Sequence, residues 1–97
     1  MPKAYVISCY REIKDPERLQ AYAKLAGPAI EAAGGKFLAR GMAAKTMEQG
    51  IKDRTVIIEF ESLAKAMAVY DTPAYQDAVR ALGPDAVNRD MRVVEGV

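Results

Sequence analysis

The chain has 97 residues, with 14 Lys and Arg against 13 Asp and Glu, no His, and a net charge of +1. Apolar residues make up 51% and charged residues 28%, the balance of an ordinary globular domain. Without histidine there is no His metal site, no His general base and no proximal haem ligand. The single cysteine, Cys9, can neither close an internal disulfide nor build a structural zinc site. Near-zero net charge argues against a dedicated nucleic-acid binder, and no apolar run approaches the ~20 residues needed to cross a membrane. The first apolar stretch is broken too early for a signal peptide, and a lone Cys suits the reducing cytoplasm. One domain over 1–97 is expected at this length.

Residues 4–10 (AYVISCY) are β-branched and aromatic, and predict a strand. Asp15-Pro16 reads as a helix cap followed by proline at the first helical position. Leu19, Tyr22, Ala23 and Ala26 continue at helical spacing. Gly27-Pro28 is expected to kink or interrupt that helix, and Gly34-Gly35 to end it. Residues 36–40 (KFLAR) predict a second strand, with a bulge at Gly41 and a possible extension over 43–47. Residues 54–60 (RTVIIEF) are the clearest strand, with Val56, Ile57 and Ile58 in succession. Ser62 caps a third helical element, and Thr72-Pro73 restarts it with Tyr75, Ala78, Val79 and Leu82 on one face. Gly83-Pro84 breaks it, and residues 90–95 predict a last strand.

The order is β-α-β-β-α-β, the ferredoxin-like α+β pattern, with a four-stranded antiparallel sheet and both helical layers on one face. Taken strand by strand, the more apolar alternating set belongs under the helices. That assigns Val56, Ile58 and Phe60 to the helix side of the third strand, and Tyr5, Ile7 and Cys9 to the helix side of the first. Ser8, Tyr10 and Glu59 then fall on the other, mixed face, which suits a sheet-to-sheet dimer around a partly polar cavity.

The runs AYVISCY, DPERLQAYAKLAGPAIEAAGGKFLARG, RTVIIEF, AVYDTPAYQDAV and the terminal VVEG together resemble the family known as domain of unknown function 1330. The resemblance covers nearly the whole chain, and GGKFLARG and YDTPAYQ are its most specific parts. It implies a dimeric α/β barrel of two ferredoxin-like protomers. The superfamily so implied includes cofactor-free monooxygenases, isomerase- and dehydratase-like enzymes, and haem-degrading proteins. The family implies no particular activity. This chain departs from it at Arg40-Gly41-Met42, where relatives often carry Arg-Gly-Gly; a second glycine serving close approach to a ligand is missing here.

Candidate residues follow from these placements. A hairpin centred near Gly50 sets Arg40 nearly opposite Glu59. As a site, Arg40 would hold a carboxylate or enolate and Glu59 would act as base or anchor; as structure, they are a cross-strand ion pair. Tyr10 either donates to a bound oxygen, with Ser8 beside it, or is an amphipathic tyrosine at a sheet end. Tyr70 and Tyr75 flank a helix break that could receive an anion, or are core anchors with Asp71 or Thr72 as a cap. Cys9 reads as a small buried hydrophobe. Arg80, Arg89 and Arg92 lie among Asp85 and Asp90 and read as a solvated face. Ser62-Leu63-Ala64-Lys65 matches S-x-x-K without its partner motifs, so it is taken as chance. No phosphate loop or calcium loop is present.

Two functions follow. One is a homodimer whose cavity binds or transforms a small organic acid or carbonyl compound without a cofactor or metal. The other is a non-catalytic dimerising module. Haem degradation ranks last, because the usual His ligand is missing.

Overall fold

The computed structural model describes residues 2–97. The elements are β1 (Ala4–Ile13), α1 (Pro16–Ala32), β2 (Lys36–Met42), β3 (Arg54–Phe60), α2 (Leu63–Ala68), a 3-10 turn (Val69–Asp71), α3 (Pro73–Leu82) and β4 (Val87–Glu95). All pairings are antiparallel and the sheet order is β2-β3-β1-β4. This is the expected ferredoxin-like α+β arrangement.

Local chemistry starts each helix. The Asp15 side chain accepts from the Arg18 backbone N–H at 3.1 Å, with proline in the first turn. Ser62 accepts from the Lys65 N–H and Thr72 from the Tyr75 N–H, both at 3.3 Å. Thr72-Pro73 does separate two helical segments.

Gly27-Pro28 does not interrupt α1, which runs unbroken to Ala32. Proline leaves one carbonyl without its helical N–H. Its ring also crowds the carbonyl one turn earlier and the residue before it, and only the second clash is eased by glycine, which has no Cβ. Tyr22, Ala26, Ala29 and Ile30 are buried on both sides of Pro28, so packing holds the helix together. The expected extension of β2 over 43–47 is also absent; the strand ends at Met42.

The helices cover one face of the sheet. Ala4, Val6, Tyr10, Val56, Ile58 and Phe60 meet Tyr22, Ala26, Ile30, Tyr75 and Leu82 in a single core. The β1·β3 register pairs Ala4 with Phe60, Val6 with Ile58 and Ser8 with Val56. Partners across an antiparallel ladder share a face. Ser8 and Tyr10 therefore lie under the helices, while Tyr5, Ile7 and Cys9 face away. The face assigned to β1 from its own composition is reversed. Cys9 is accordingly exposed, not a buried hydrophobe.

The bulge in β2 is at Leu38, not Gly41. The register steps between Phe37↔Ile58 and Ala39↔Ile57, so one extra residue lies in β2. Arg40 then pairs with Val56, and Glu59 pairs with Lys36. Phe37 and Arg40, three positions apart, consequently share the helix-side face.

The chain is a slab of 37 × 34 × 17 Å. Its accessible surface is 6371 Å², against about 5,500 Å² for a compact monomer of this mass. The excess accompanies an uncovered sheet face and a cleft between sheet and helices.

Gly35 fixes how closely the α1–β2 turn approaches the core. A Cβ there would lie 2.9 Å from the Phe60 ring and 3.0 Å from the Ile30 carbonyl oxygen. Gly35→Ala is expected to lower stability by about 1–3 kcal/mol through overpacking, read as a lower urea midpoint at unchanged slope. An unchanged midpoint would show that this contact does not constrain the fold.

Candidate functional site

The register lays the helix-side residues in rows across the sheet. One row is Phe37, Ile58, Val6 and Val93. The next is Arg40, Val56, Ser8 and Met91. The third contains Arg54, paired with Met42, and Tyr10, paired with Arg89. The floor thus changes from apolar to cationic along the strands. Over it lie Tyr22, Ala26 and Ile30 of α1, with Met67, Tyr70 and Tyr75 from the segments after β3. Between floor and roof is a cleft of about 440 Å³.

Arg92 borders this cleft while paired with Asp90; Arg40, Arg54 and Arg89 line it too, and the lining itself contains no Asp or Glu. Among the described residues, none of the three forms an ion pair with a carboxylate. Their neighbours are aromatic. The Arg89 guanidinium lies 4.7 Å from the Tyr22 ring centre and donates to the Tyr10 hydroxyl at 3.1 Å. Arg54 lies 5.9 Å from the Tyr10 ring centre, and Arg40 lies 4.4 Å above Phe37. Such contacts steady a cation without neutralising it.

The roof adds hydroxyls. Tyr22 and Tyr75 hydrogen-bond to each other, with rings edge to face at 5.9 Å. Tyr70 tilts against Tyr75 at 5.3 Å and is itself largely exposed at the cleft. Burial pushes the Tyr75 phenol far up, and the adjoining Tyr22 pushes it further; Arg89 pulls the other way but is outweighed. Tyr75 is therefore a protonated hydroxyl at neutral pH. Burial opposes the Arg89 charge, but Tyr22, Tyr75 and Tyr10 outweigh it and its pKa stands above the ordinary value.

Two polar atoms of the floor are buried with no hydrogen-bond partner among the described residues: Ser8 Oγ and Arg54 Nε. Leaving a buried hydroxyl unpaired costs about 1–3 kcal/mol.

The structure brings together five of the six residues expected at a site. Ser8, Tyr10, Arg40, Tyr70 and Tyr75 all line the cleft. Ser8 and Tyr10 reach it from the helix side, not from the opposite face where they were expected. Tyr75 is both the core anchor and a cleft residue, and Thr72 is its cap. Glu59 is the exception. It lies on the opposite face, where its carboxylate takes Lys3 Nζ at 3.2 Å and the Tyr5 hydroxyl at 3.5 Å. Arg40 and Glu59 are therefore neither a catalytic pair nor a cross-strand ion pair.

Arg54, Arg89, Tyr22 and Phe37 are cleft residues that the sequence reading missed. From the sequence Arg89 falls together with Arg80 and Arg92; those two do pair with Asp77 and Asp90, Arg92 at the border of the cleft. The signal available was strand alternation: in β4, Arg89, Met91 and Val93 fall on one face and Asp90 and Arg92 on the other.

Among the described residues, no helix is long and apolar enough to cross a membrane. Among the described residues, no group of three or more Cys, Asp or Glu is placed to hold a metal ion.

Comparison with solved structures shows the fold. A protein of unknown function from Rhodopseudomonas palustris superposes with a TM-score of 0.74 at 19% identity, covering 99% of this chain and 83% of that one. A dimeric ferredoxin-like protein of unknown function from Thermobifida fusca gives 0.63 at 15% identity, over 97% and 91%. A proposed antibiotic biosynthesis monooxygenase from Caulobacter crescentus gives 0.63 at 15% identity, over 99% and 91%. Comparison with curated proteins finds no match. The family described as Domain of unknown function (DUF1330) matches residues 3–97, and the chain belongs to that family.

Proposed function

We propose that the cleft binds a small organic acid, with its carboxylate at the Arg54–Arg89 end and its apolar body along Phe37, Ile58 and Val6. The observation that carries this reading is three arginines without a carboxylate partner, Arg40, Arg54 and Arg89, in the lining of one cleft that holds no acidic residue. A guanidinium takes a carboxylate in a paired, directional contact, and partial burial strengthens the attraction. Phe37, Ile58 and Val6 supply the apolar surface that most small-ligand sites present. The Tyr22 and Tyr75 hydroxyls pair with each other in the same cleft, which leaves one O–H of the pair to donate.

Proton abstraction by Glu59 is not part of the proposal, because that carboxylate lies on the other face. The groups at the site bind and stabilise negative charge, the role of preorganised donors around an oxyanion. A purely structural module is less well supported, since it gives no reason to turn Arg54 and Arg89 inward at the cost of dehydrating them.

The open sheet face is the proposed homodimer surface. It presents Tyr5, Ile7, Ile57 and Val94, with ion pairs of Lys3 to Glu59 and of Arg11 and Arg92 to Asp90. A face of 37 × 34 Å accommodates the roughly 800 Å² per partner of a stable interface. The likeness to the dimeric Thermobifida fusca protein supports the same assembly. An exposed, unpaired Cys9 thiol suits a reducing compartment such as the cytoplasm.

Calorimetric titration with 4-phenylbutanoate tests the binding reading. Arg89→Gln is expected to weaken binding on the order of ten- to a hundredfold, with the thermal midpoint checked for retained folding. Equal binding of the uncharged amide 4-phenylbutanamide would refute an anion site. For the assembly, sedimentation equilibrium is expected to report twice the 10.6 kDa chain mass, and Ile57→Lys to shift it towards the monomer. A monomer at micromolar wild-type concentration would exclude the sheet-to-sheet dimer.

A further inference from the structure

Ser8 is 4% exposed, sits mid-floor in the cleft, and its hydroxyl has no partner among the described residues. Its neighbours in the floor are Val6, Val56 and Met91, none of which has a side-chain group able to pair with it well. Its own strand neighbour on the same face, Tyr10, accepts from Arg89 at its hydroxyl and makes no hydrogen bond to Ser8. The remaining direction is the cleft itself. A buried hydroxyl aimed into a cavity is satisfied by whatever fills it.

We propose that the ligand is an oxo or hydroxy acid, whose neutral oxygen pairs with the Ser8 hydroxyl while its carboxylate meets Arg54 and Arg89. This rests on the anion-binding reading above. Same-face residues two apart on a strand are about 7 Å apart, so Ser8 stands one row from the Tyr10–Arg89 end. The oxygen it serves is therefore set back along the ligand from the carboxylate, on the part lying over Val6 and Val56. A hydroxyl can both donate and accept, so it fits a ketone or an alcohol equally. Arg40 shares the Ser8 row but lies on β2 at the sheet edge, stacked on Phe37. That leaves Ser8 as the polar group of the enclosed mid-floor.

The test compares two acids that differ by one oxygen, 4-oxo-4-phenylbutanoate and 4-phenylbutanoate, on wild type and on Ser8→Ala. Wild type is expected to bind the oxo acid about three- to tenfold more tightly, the worth of one net hydrogen bond. Ser8→Ala is expected to bring the ratio close to one by weakening the oxo acid alone. It should fold at least as well as wild type, because it removes a hydroxyl that nothing in the chain satisfies. A wild-type ratio of one, or a preference that survives Ser8→Ala, overturns the Ser8 assignment while leaving the anion site intact. Failure of both acids to bind wild type overturns the anion site, and the Ser8 assignment with it.

Discussion

Residues that face each other across an antiparallel ladder must point to the same side of the sheet, and the placement of every residue in the floor of the cleft depends on that rule. The central β1·β3 register sets Val6 against Ile58 and Ser8 against Val56. Once Val56, Ile58 and Phe60 are under the helices, β1 has no freedom left: Ser8 and Tyr10 go with them. The same rule carries outward to both edges. It takes Arg89 inward through Tyr10, and Arg40 inward through Val56. One extra residue, Leu38, is what brings Phe37 and Arg40 to the same face. The cleft is a consequence of pairing and bulge position more than of any local motif.

What collects there is positive charge without its usual counter-charge. The other four arginines are matched: Arg11 and Arg92 with Asp90, Arg18 with Asp15, Arg80 with Asp77. In the cleft, Arg54 and Arg89 meet tyrosine rings and hydroxyls instead. Aromatic faces soften the dehydration of a guanidinium but leave its charge available. An anion entering this space would meet donors already held in place, so little ordering is required at the moment of binding.

Much of the fold was legible because its signals are local. Asp15-Pro16, Ser62 and Thr72-Pro73 each cap a helix as their chemistry predicts, and RTVIIEF is the strand it reads as. What was not legible depends on partners far away in the chain. Tyr5, Ile7 and Cys9 are no less apolar than Ala4, Val6, Ser8 and Tyr10, so β1 alone does not reveal its buried side. Arg89 was obscured by Asp90 beside it, although adjacent residues on a strand face opposite ways. Pro28 was read by its local cost, which burial of Tyr22, Ala26, Ala29 and Ile30 on either side outweighs. Five of the six candidate residues therefore line one cleft, Ser8 and Tyr10 from the face opposite to the expected one, while Glu59 pairs with Lys3 and not with Arg40.

The central claim is that the arginines lining the cleft hold a carboxylate. NMR of the arginine Nε–Hε signals during titration with 4-phenylbutanoate tests it most directly. Large, saturable shifts are expected at Arg54 and Arg89, a smaller one at Arg40, and none at Arg11, Arg18 or Arg80. Shifts spread evenly over all the arginines, or confined to those on the outer surface, would contradict it.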